Sequence, residues 1–135
     1  MGVSSHFFVG SPEEAADIDG PEKIPAERQA LFYKVMFTSL AALYEAMQGS
    51  ECPEFKIIAH DEDYAVVTMA APTEFVDLIA KLKDDEVAAA IEVWKESDEP
   101  AYDNDGDMND LLEALRRLTQ LAQQRDEIMY VQMCA

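Results

Sequence analysis

The sequence predicts an α+β domain in which helices cover one face of a small mixed β-sheet. Two segments rich in strand-forming residues flank a short polar turn between residues 55 and 69, which is the pattern of a β-hairpin. Leucines recur at helical spacing between residues 111 and 121, and the apolar segment 128–133 follows them. The strands are too irregularly placed for a series of βαβ units. We therefore expect one domain over residues 1–135, with about four strands, three to four helices, and a long C-terminal helix followed by a terminal strand.

The first third of the chain predicts one strand and a region without a simple pattern. Residues 5–9 predict the first strand, which Gly10 and Pro12 end. Residues 11–29 contain a glycine and three prolines, so we expect an irregular surface segment with one helical turn after Pro12.

Residues 30–48 allow two interpretations. The first is a single helix from Pro25 to Gln48, and the second is a strand over residues 31–37 followed by a helix from Thr38 or Ser39 to Gln48. The aromatic and β-branched residues of this segment and the two N-cap candidates favour strand then helix.

The second half of the chain has clearer signals. Residues 55–60 and 64–69 predict the hairpin, and Pro72 with Thr73 begins a helix. The acidic residues 84–86 favour the start of another helix, because carboxylates stabilise the positive end of the helix dipole. Residues 97–108 predict an acidic loop, and the long helix follows it. Residues 128–133 are apolar on both faces, which predicts a strand inside the sheet.

The order of these elements resembles a known group of proteins. The chain starts with Met1-Gly2 and an aromatic strand, has a leucine-spaced helix through Leu40 and Leu43 that ends at Gly49, and closes with a helix and apolar strand over residues 111–131. In these features it is similar to the YfbM-like group of small uncharacterised bacterial proteins. The resemblance implies the fold described above, and the group brings no established activity and no catalytic residues.

The charge balance narrows the classes of partner. The chain has 28 acidic and 10 basic residues, a net charge of −18 and a pI near 4.1. This balance disfavours direct binding to nucleic acid or to an anionic membrane, and it favours basic proteins and divalent cations. The two cysteines and the lack of a long apolar run predict a cytoplasmic protein with reduced thiols.

The stretch from Asp103 to Asn109 suggests a cation site. Carboxylates alternate there before a helix, and hard cations prefer several oxygen ligands, so Asp103, Asp105 and Asp107 are candidate ligands for a weakly bound calcium or magnesium ion. The spacing does not fit an EF-hand, and the chain predicts no other cofactor. The alternative is a loop in which Asp107 or Asn109 caps the helix and the other acids are solvated.

Catalytic patterns are scarce in the sequence. His60 stands beside Asp61, Glu62 and Asp63, but these residues occupy the expected hairpin turn, so we interpret them as a polar turn. Cys52 and His60 are a candidate pair of nucleophile and general base, but no known catalytic sequence motif surrounds either residue. We therefore predict that the protein is not an enzyme.

The sequence favours an interaction module over the other classes. Between Asp84 and Asp110 there are eleven acidic residues and one basic residue, Lys95. We name this stretch the acidic band, and we expect it to bind a basic partner as immunity proteins and nucleic-acid mimics do. The predicted partner-binding residues are Asp84, Asp85, Glu86, Glu92, Glu96, Asp98, Glu99 and Tyr102.

The sequence leaves the apolar anchors and the alternative functions open. Trp94, Tyr102 and Met108 would anchor the partner if they are exposed, whereas Trp94 at helical spacing with Ala90 and Ile91 also fits a core residue. The alternative functions are a divalent-cation-binding protein and a small ligand-binding or metabolic domain with an apolar pocket. The sequence allows either a monomer or a homodimer.

Overall fold

The computed structural model describes residues 3–18 and 20–134, which form a five-stranded sheet with helices packed on it. The strands are β1 (Ser4–Gly10), β2 (Gln29–Tyr33), β3 (Lys56–His60), β4 (Val66–Ala70) and β5 (Ile128–Cys134). The helices are α1 (Pro12–Ala16), α2 (Phe37–Gln48), α3 (Thr73–Ala80), α4 (Val87–Lys95) and α5 (Asp105–Arg125), with 3₁₀ turns at Gly20–Lys23, Ala26–Arg28 and Asp84–Glu86. The strand order is β2-β1-β5-β4-β3.

This architecture confirms the predicted α+β class, with its long C-terminal helix and terminal strand. Three details differ from the prediction, the first being that the described residues form five α-helices rather than three to four, with the short α1 as the additional one. The described sheet has five strands rather than about four, because the segment with two interpretations does form a strand. The sheet is also antiparallel throughout rather than mixed, because β5 returns from α5 in the direction opposite to both of its neighbours, β1 and β4.

The strand-then-helix interpretation of residues 30–48 is confirmed, with shifted boundaries. β2 starts at Gln29, and α2 starts at Phe37 rather than at Thr38 or Ser39. Ser39 is not a cap but a buried residue of the first helical turn. Gly49 ends α2 with a φ of 75°, a conformation that glycine adopts without steric cost, and its N–H donates to the Glu45 carbonyl.

The main core lies between the sheet and helices α2 to α5. Alternate residues of β1 and β5, such as Phe7 and Val131, point into it because side chains alternate along a strand. Trp94 of α4 is completely buried in this core, and its Nε1 donates to the Ser39 carbonyl of α2 at 2.9 Å. Trp94 is therefore a core residue that joins two helices, and it is not available as an anchor for a partner.

The opposite face of the sheet, here called the outer face, has a cover of its own. Phe8 and Tyr130 point to this face with stacked rings 5.4 Å apart, and Ala15 and Ile24 are buried against them. The predicted helical turn after Pro12 is present as α1, and the rest of the segment 11–29 consists of 3₁₀ turns and loop, with Ala15 and Ile24 buried rather than at the surface. The segment forms short helices because two large apolar side chains on this face gain about 2–3 kcal/mol each from being covered.

A polar contact also ties this cover to the sheet. Gln132 of β5 is buried, and its Nε2 donates to the carbonyl of Ile18 at 2.7 Å and to Thr68 Oγ1 at 3.2 Å. β5 is thus covered on both faces and paired on both sides, as predicted for a strand inside the sheet.

The two edge strands of the sheet differ in how far other residues cover them. Lys34 N–H donates to the Val3 carbonyl, so the Tyr33 carbonyl of the same trans peptide group points away from Val3. The carbonyls of Tyr33 and Gln29 accept hydrogen bonds from Tyr102 Oη at 2.6 Å and Arg117 Nη2 at 3.0 Å, and these side chains protect the β2 edge. At the other edge, β3 has a register shift between Ile57 and Ala59 and exposes most of its side chains.

Candidate interaction groove

A groove with a volume of about 570 Å³ opens beside the β3 edge, on the helical side of the sheet. Its walls come from the start of α2, the loop before β3 and the β3–β4 hairpin, and its floor includes inward-facing residues of β4 and β5. The residues that line it are Val3, Met36, Phe37, Ala41, Glu45, Glu51, Cys52, Pro53, Glu54, Phe55, Ile57, Tyr64, Ala65, Val67, Met69 and Met133.

The rim of this groove is apolar and open to solvent. Met36, Phe37, Ile57 and Tyr64 keep 40%, 42%, 50% and 57% of their surface exposed. Single exposed apolar side chains are ordinary, but four of them around one concave surface are typical of an interaction site. Burial of these side chains by a partner would stabilise the complex through the hydrophobic effect.

The charged residues in the groove have one sign. Glu45, Glu51 and Glu54 line it, and no described lysine or arginine does. The lining also includes three methionines, whose flexible side chains adapt to the shape of a partner. The groove therefore combines apolar side chains, with Met69 and Met133 in the floor and Met36 on the rim, with three glutamates.

Cys52 lies in the groove wall as a protonated thiol. Burial raises its pKa to about 11, and the negative charges of Glu45 and Glu74 act in the same direction. Its Sγ donates to the Pro53 carbonyl at 3.3 Å. Because the thiolate is the nucleophilic form of cysteine, this side chain contributes packing surface to the groove rather than reactivity at neutral pH.

Tyr64 sits in a strained backbone conformation at the end of the groove. Its φ of 55° lies in the left-handed region, which costs an L-residue about 1–2 kcal/mol and costs glycine nothing. Its ring stacks on His60, with centroids 3.8 Å apart and planes inclined by 16°. The predicted polar turn is present, since the Asp61 carboxylate accepts from Val66 N–H at 3.2 Å. The sequence interpretation missed the aromatic pair that flanks this turn.

The acidic band lies on a part of the protein surface outside the groove. All eleven of its acidic residues are exposed, including seven of the eight predicted partner-binding residues, and none of the eight lines the groove. Lys95 pairs with Asp105 at 2.7 Å and with Glu92 at 3.8 Å, so the one cation of the band is engaged within it.

The expected apolar anchors of the band have structural roles instead. Met108 is completely buried, and Tyr102 is half-buried with its hydroxyl on the Tyr33 carbonyl. Burial also raises the pKa of the Tyr102 phenol. The band is thus an exposed charged surface in which Trp94 and Met108 are buried, whereas four exposed apolar side chains lie together around the groove.

The three candidate metal ligands do not converge. Asp105 is paired with Lys95, and the Asp107 carboxylate accepts from Asn104 Nδ2 at 2.9 Å. Within residues 3–18 and 20–134 no group of three metal-ligating side chains has the geometry to hold an ion. The Asp and Asn residues of this stretch serve a helix start: Asn104 Oδ1 accepts from Asp107 N–H at 2.8 Å, so α5 begins at Asp105 and the acidic loop ends at Asn104, not at residue 108.

Replacing the cap residue gives a direct check of this assignment. We expect Asn104→Ala to lower the free energy of unfolding by about 1 kcal/mol, because the Asp107 N–H loses its acceptor. Asn104→Ser keeps an acceptor oxygen and is expected to retain most of the stability in urea denaturation. Equal losses in the two variants would show that the side chain does not act as the cap.

Two further properties of the chain were compared with known patterns: the membrane-spanning potential of its helices and its similarity to known proteins. None of the described helices is both long and apolar enough to cross a membrane. Comparisons of this chain with models of protein families, with curated proteins and with solved structures find no match. The resemblance to the YfbM-like group therefore stays a prediction, and the groove is characterised by its own geometry and charge.

Proposed function

We propose that the protein is a non-enzymatic interaction module that holds a basic amphipathic segment of a partner protein in the groove. The observation that carries this proposal is an apolar groove whose charged lining residues are all glutamates. Apolar side chains of the segment would lie on the methionine-rich floor, and its lysines or arginines would face Glu45, Glu51 and Glu54. Such charge complementarity fixes the register of a bound segment and rejects acidic competitors.

A protein segment fits the surface better than a small molecule does. The groove volume of about 570 Å³ lies within the range of small-molecule sites, so volume alone does not separate the two. The exposed rim distinguishes a protein segment from a small molecule. A molecule small enough to fit inside the groove would leave in water much of the surface of the rim residues Met36, Phe37, Ile57 and Tyr64. A segment that extends past the rim would cover it.

The acidic band has a supporting role in this proposal. A net charge of −18 attracts a basic partner over a distance and raises the rate of encounter, and the exposed band supplies a large share of that charge. The apolar groove then determines how long the complex lasts, because changes in affinity act mostly through dissociation. We expect salt to slow association more than it speeds dissociation.

The test uses one substitution that separates charge from groove contact. Phe37→Glu adds a negative charge, so general attraction would strengthen binding of a basic peptide, whereas loss of the apolar contact would weaken it. Glutamate is also favourable at the first residue of α2, where it faces the positive end of the helix dipole. We expect at least about a tenfold loss of affinity for a basic amphipathic peptide, measured by fluorescence anisotropy.

The peptides and the matched variant complete the design. The panel has peptides of about 15 residues, long enough to form an amphipathic helix: leucine with arginine, leucine with lysine, leucine with glutamate, and glycine with arginine. Val93→Glu is the matched control, because Val93 is 40% exposed on α4 and does not line the groove. The proposal is wrong if the glycine–arginine peptide binds as well as the leucine–arginine peptide, if neither binds, or if Phe37→Glu binds like Val93→Glu.

A further inference from the structure

Tyr64 has two features that are unusual for a residue whose only role is to form a turn. Its backbone is in the left-handed region, where glycine is the comfortable residue, and its ring is 57% exposed. The left-handed backbone costs free energy that glycine would not pay, and more than half of the ring surface stays in water. Strained residues of this kind cluster at binding sites, where the position of the side chain is what matters.

The surroundings of the ring indicate what it would bind. Stacking on His60 covers part of the Tyr64 ring and fixes its orientation at the groove. Asp61 is occupied by the Val66 N–H, while Glu62 and Asp63 are exposed in the same turn. An oriented aromatic ring in the same five-residue turn as two exposed carboxylates suits a planar cation, which can stack on a ring and hydrogen-bond a carboxylate at the same time.

We propose that residues 60–64 form an arginine subsite at the end of the groove; this inference rests on the proposed function. The guanidinium group of arginine is flat and presents several donors in a fixed fork, so it satisfies the ring and a carboxylate together. The ammonium group of lysine is a compact, strongly hydrated charge without a plane. The subsite therefore selects arginine over lysine in the segment that the groove holds.

The experiment compares the leucine–arginine and leucine–lysine peptides on three proteins. These are the wild type, Tyr64→Gly, and Asp126→Gly as the matched control. Asp126 has a φ of 54° at the end of α5 and does not line the groove, so its replacement relieves the same kind of backbone strain at a distant position. Each protein is also melted in the calorimeter to record its unfolding temperature.

We expect the wild type to prefer the arginine peptide by about threefold to tenfold. Tyr64→Gly loses this preference while its unfolding temperature stays level or rises, and Asp126→Gly keeps the preference.

Arginine selectivity that survives in Tyr64→Gly, or equal wild-type affinity for the two peptides, overturns the subsite and leaves the proposed function standing. Failure of both peptides to bind the wild type overturns both proposals. If Tyr64→Gly unfolds early, Tyr64→Leu keeps a side chain at this position without the aromatic ring, and its selectivity decides by the same criterion.

Discussion

Trp94→Ala is expected to lower the free energy of unfolding by about 3–5 kcal/mol, at the upper end of what a single substitution costs. The indole is completely buried between helices, so its removal leaves a cavity that the surrounding side chains fill only in part. The substitution also removes the 2.9 Å hydrogen bond from Nε1 to the Ser39 carbonyl. Urea denaturation followed by far-UV circular dichroism measures the loss.

Two further variants divide this effect into its parts. Trp94→Phe retains most of the buried ring but not the donor, and we expect a smaller loss that includes about 1 kcal/mol for the hydrogen bond. Val93→Ala changes a 40% exposed neighbour and is expected to stay within about 0.5 kcal/mol of the wild type. If Trp94→Ala were as stable as Val93→Ala, the tryptophan would have to be exposed, and the acidic band would regain its aromatic anchor.

Phe8→Ala is expected to cost about 3–5 kcal/mol and, in addition, to loosen the cover of the outer face. The ring is completely buried, stacks on Tyr130 and contacts the segment that carries Ala15 and Ile24. Without it this segment keeps only Tyr130 and the partly buried Ala70 of the sheet to pack on. Limited trypsin digestion under native conditions reports the change, because Lys23 and Arg28 lie in the segment.

The control for this prediction is Leu31→Ala on the same face of the sheet. Leu31 pairs with His6, so it points to the outer face, but it is 47% exposed. We expect a change in stability of less than about 0.5 kcal/mol and no faster cleavage after Lys23. Cleavage rates that are equal in wild type and Phe8→Ala would mean that the cover is not held by the Phe8 ring.

Much of the fold is predictable from local patterns. The hairpin, α3, α5 and β5 have strong periodicity, and each lies within a few residues of its predicted place. The outer cover was not predictable in this way, because it depends on two isolated apolar residues, Ala15 and Ile24. Their role is evident only once β1 and β5 pair and bring Phe8 beside Tyr130.

The groove was harder to predict than the fold. Its lining comes from positions as far apart in the chain as Val3 and Met133, and no local stretch has an unusual composition of apolar residues. The acidic band, by contrast, is obvious in the sequence because its residues are contiguous. One signal was available: Tyr64 follows an acidic turn at a place where glycine is common, and a bulky residue there indicates a role other than turn formation.

The central position of β5 determines when the sheet can be completed during synthesis of the chain. The pairs β1–β2 and β3–β4 meet only through β5 among the described strands, and Ser4 pairs with Cys134. The ribosome synthesises these four strands before residues 128–134, so β1 and β4 each lack a hydrogen-bonded neighbour on one side until β5 has been made. We therefore expect the two strand pairs to join into one sheet only after β5 has been synthesised, because the pairing of Ser4 with Cys134 closes a contact across almost the whole chain.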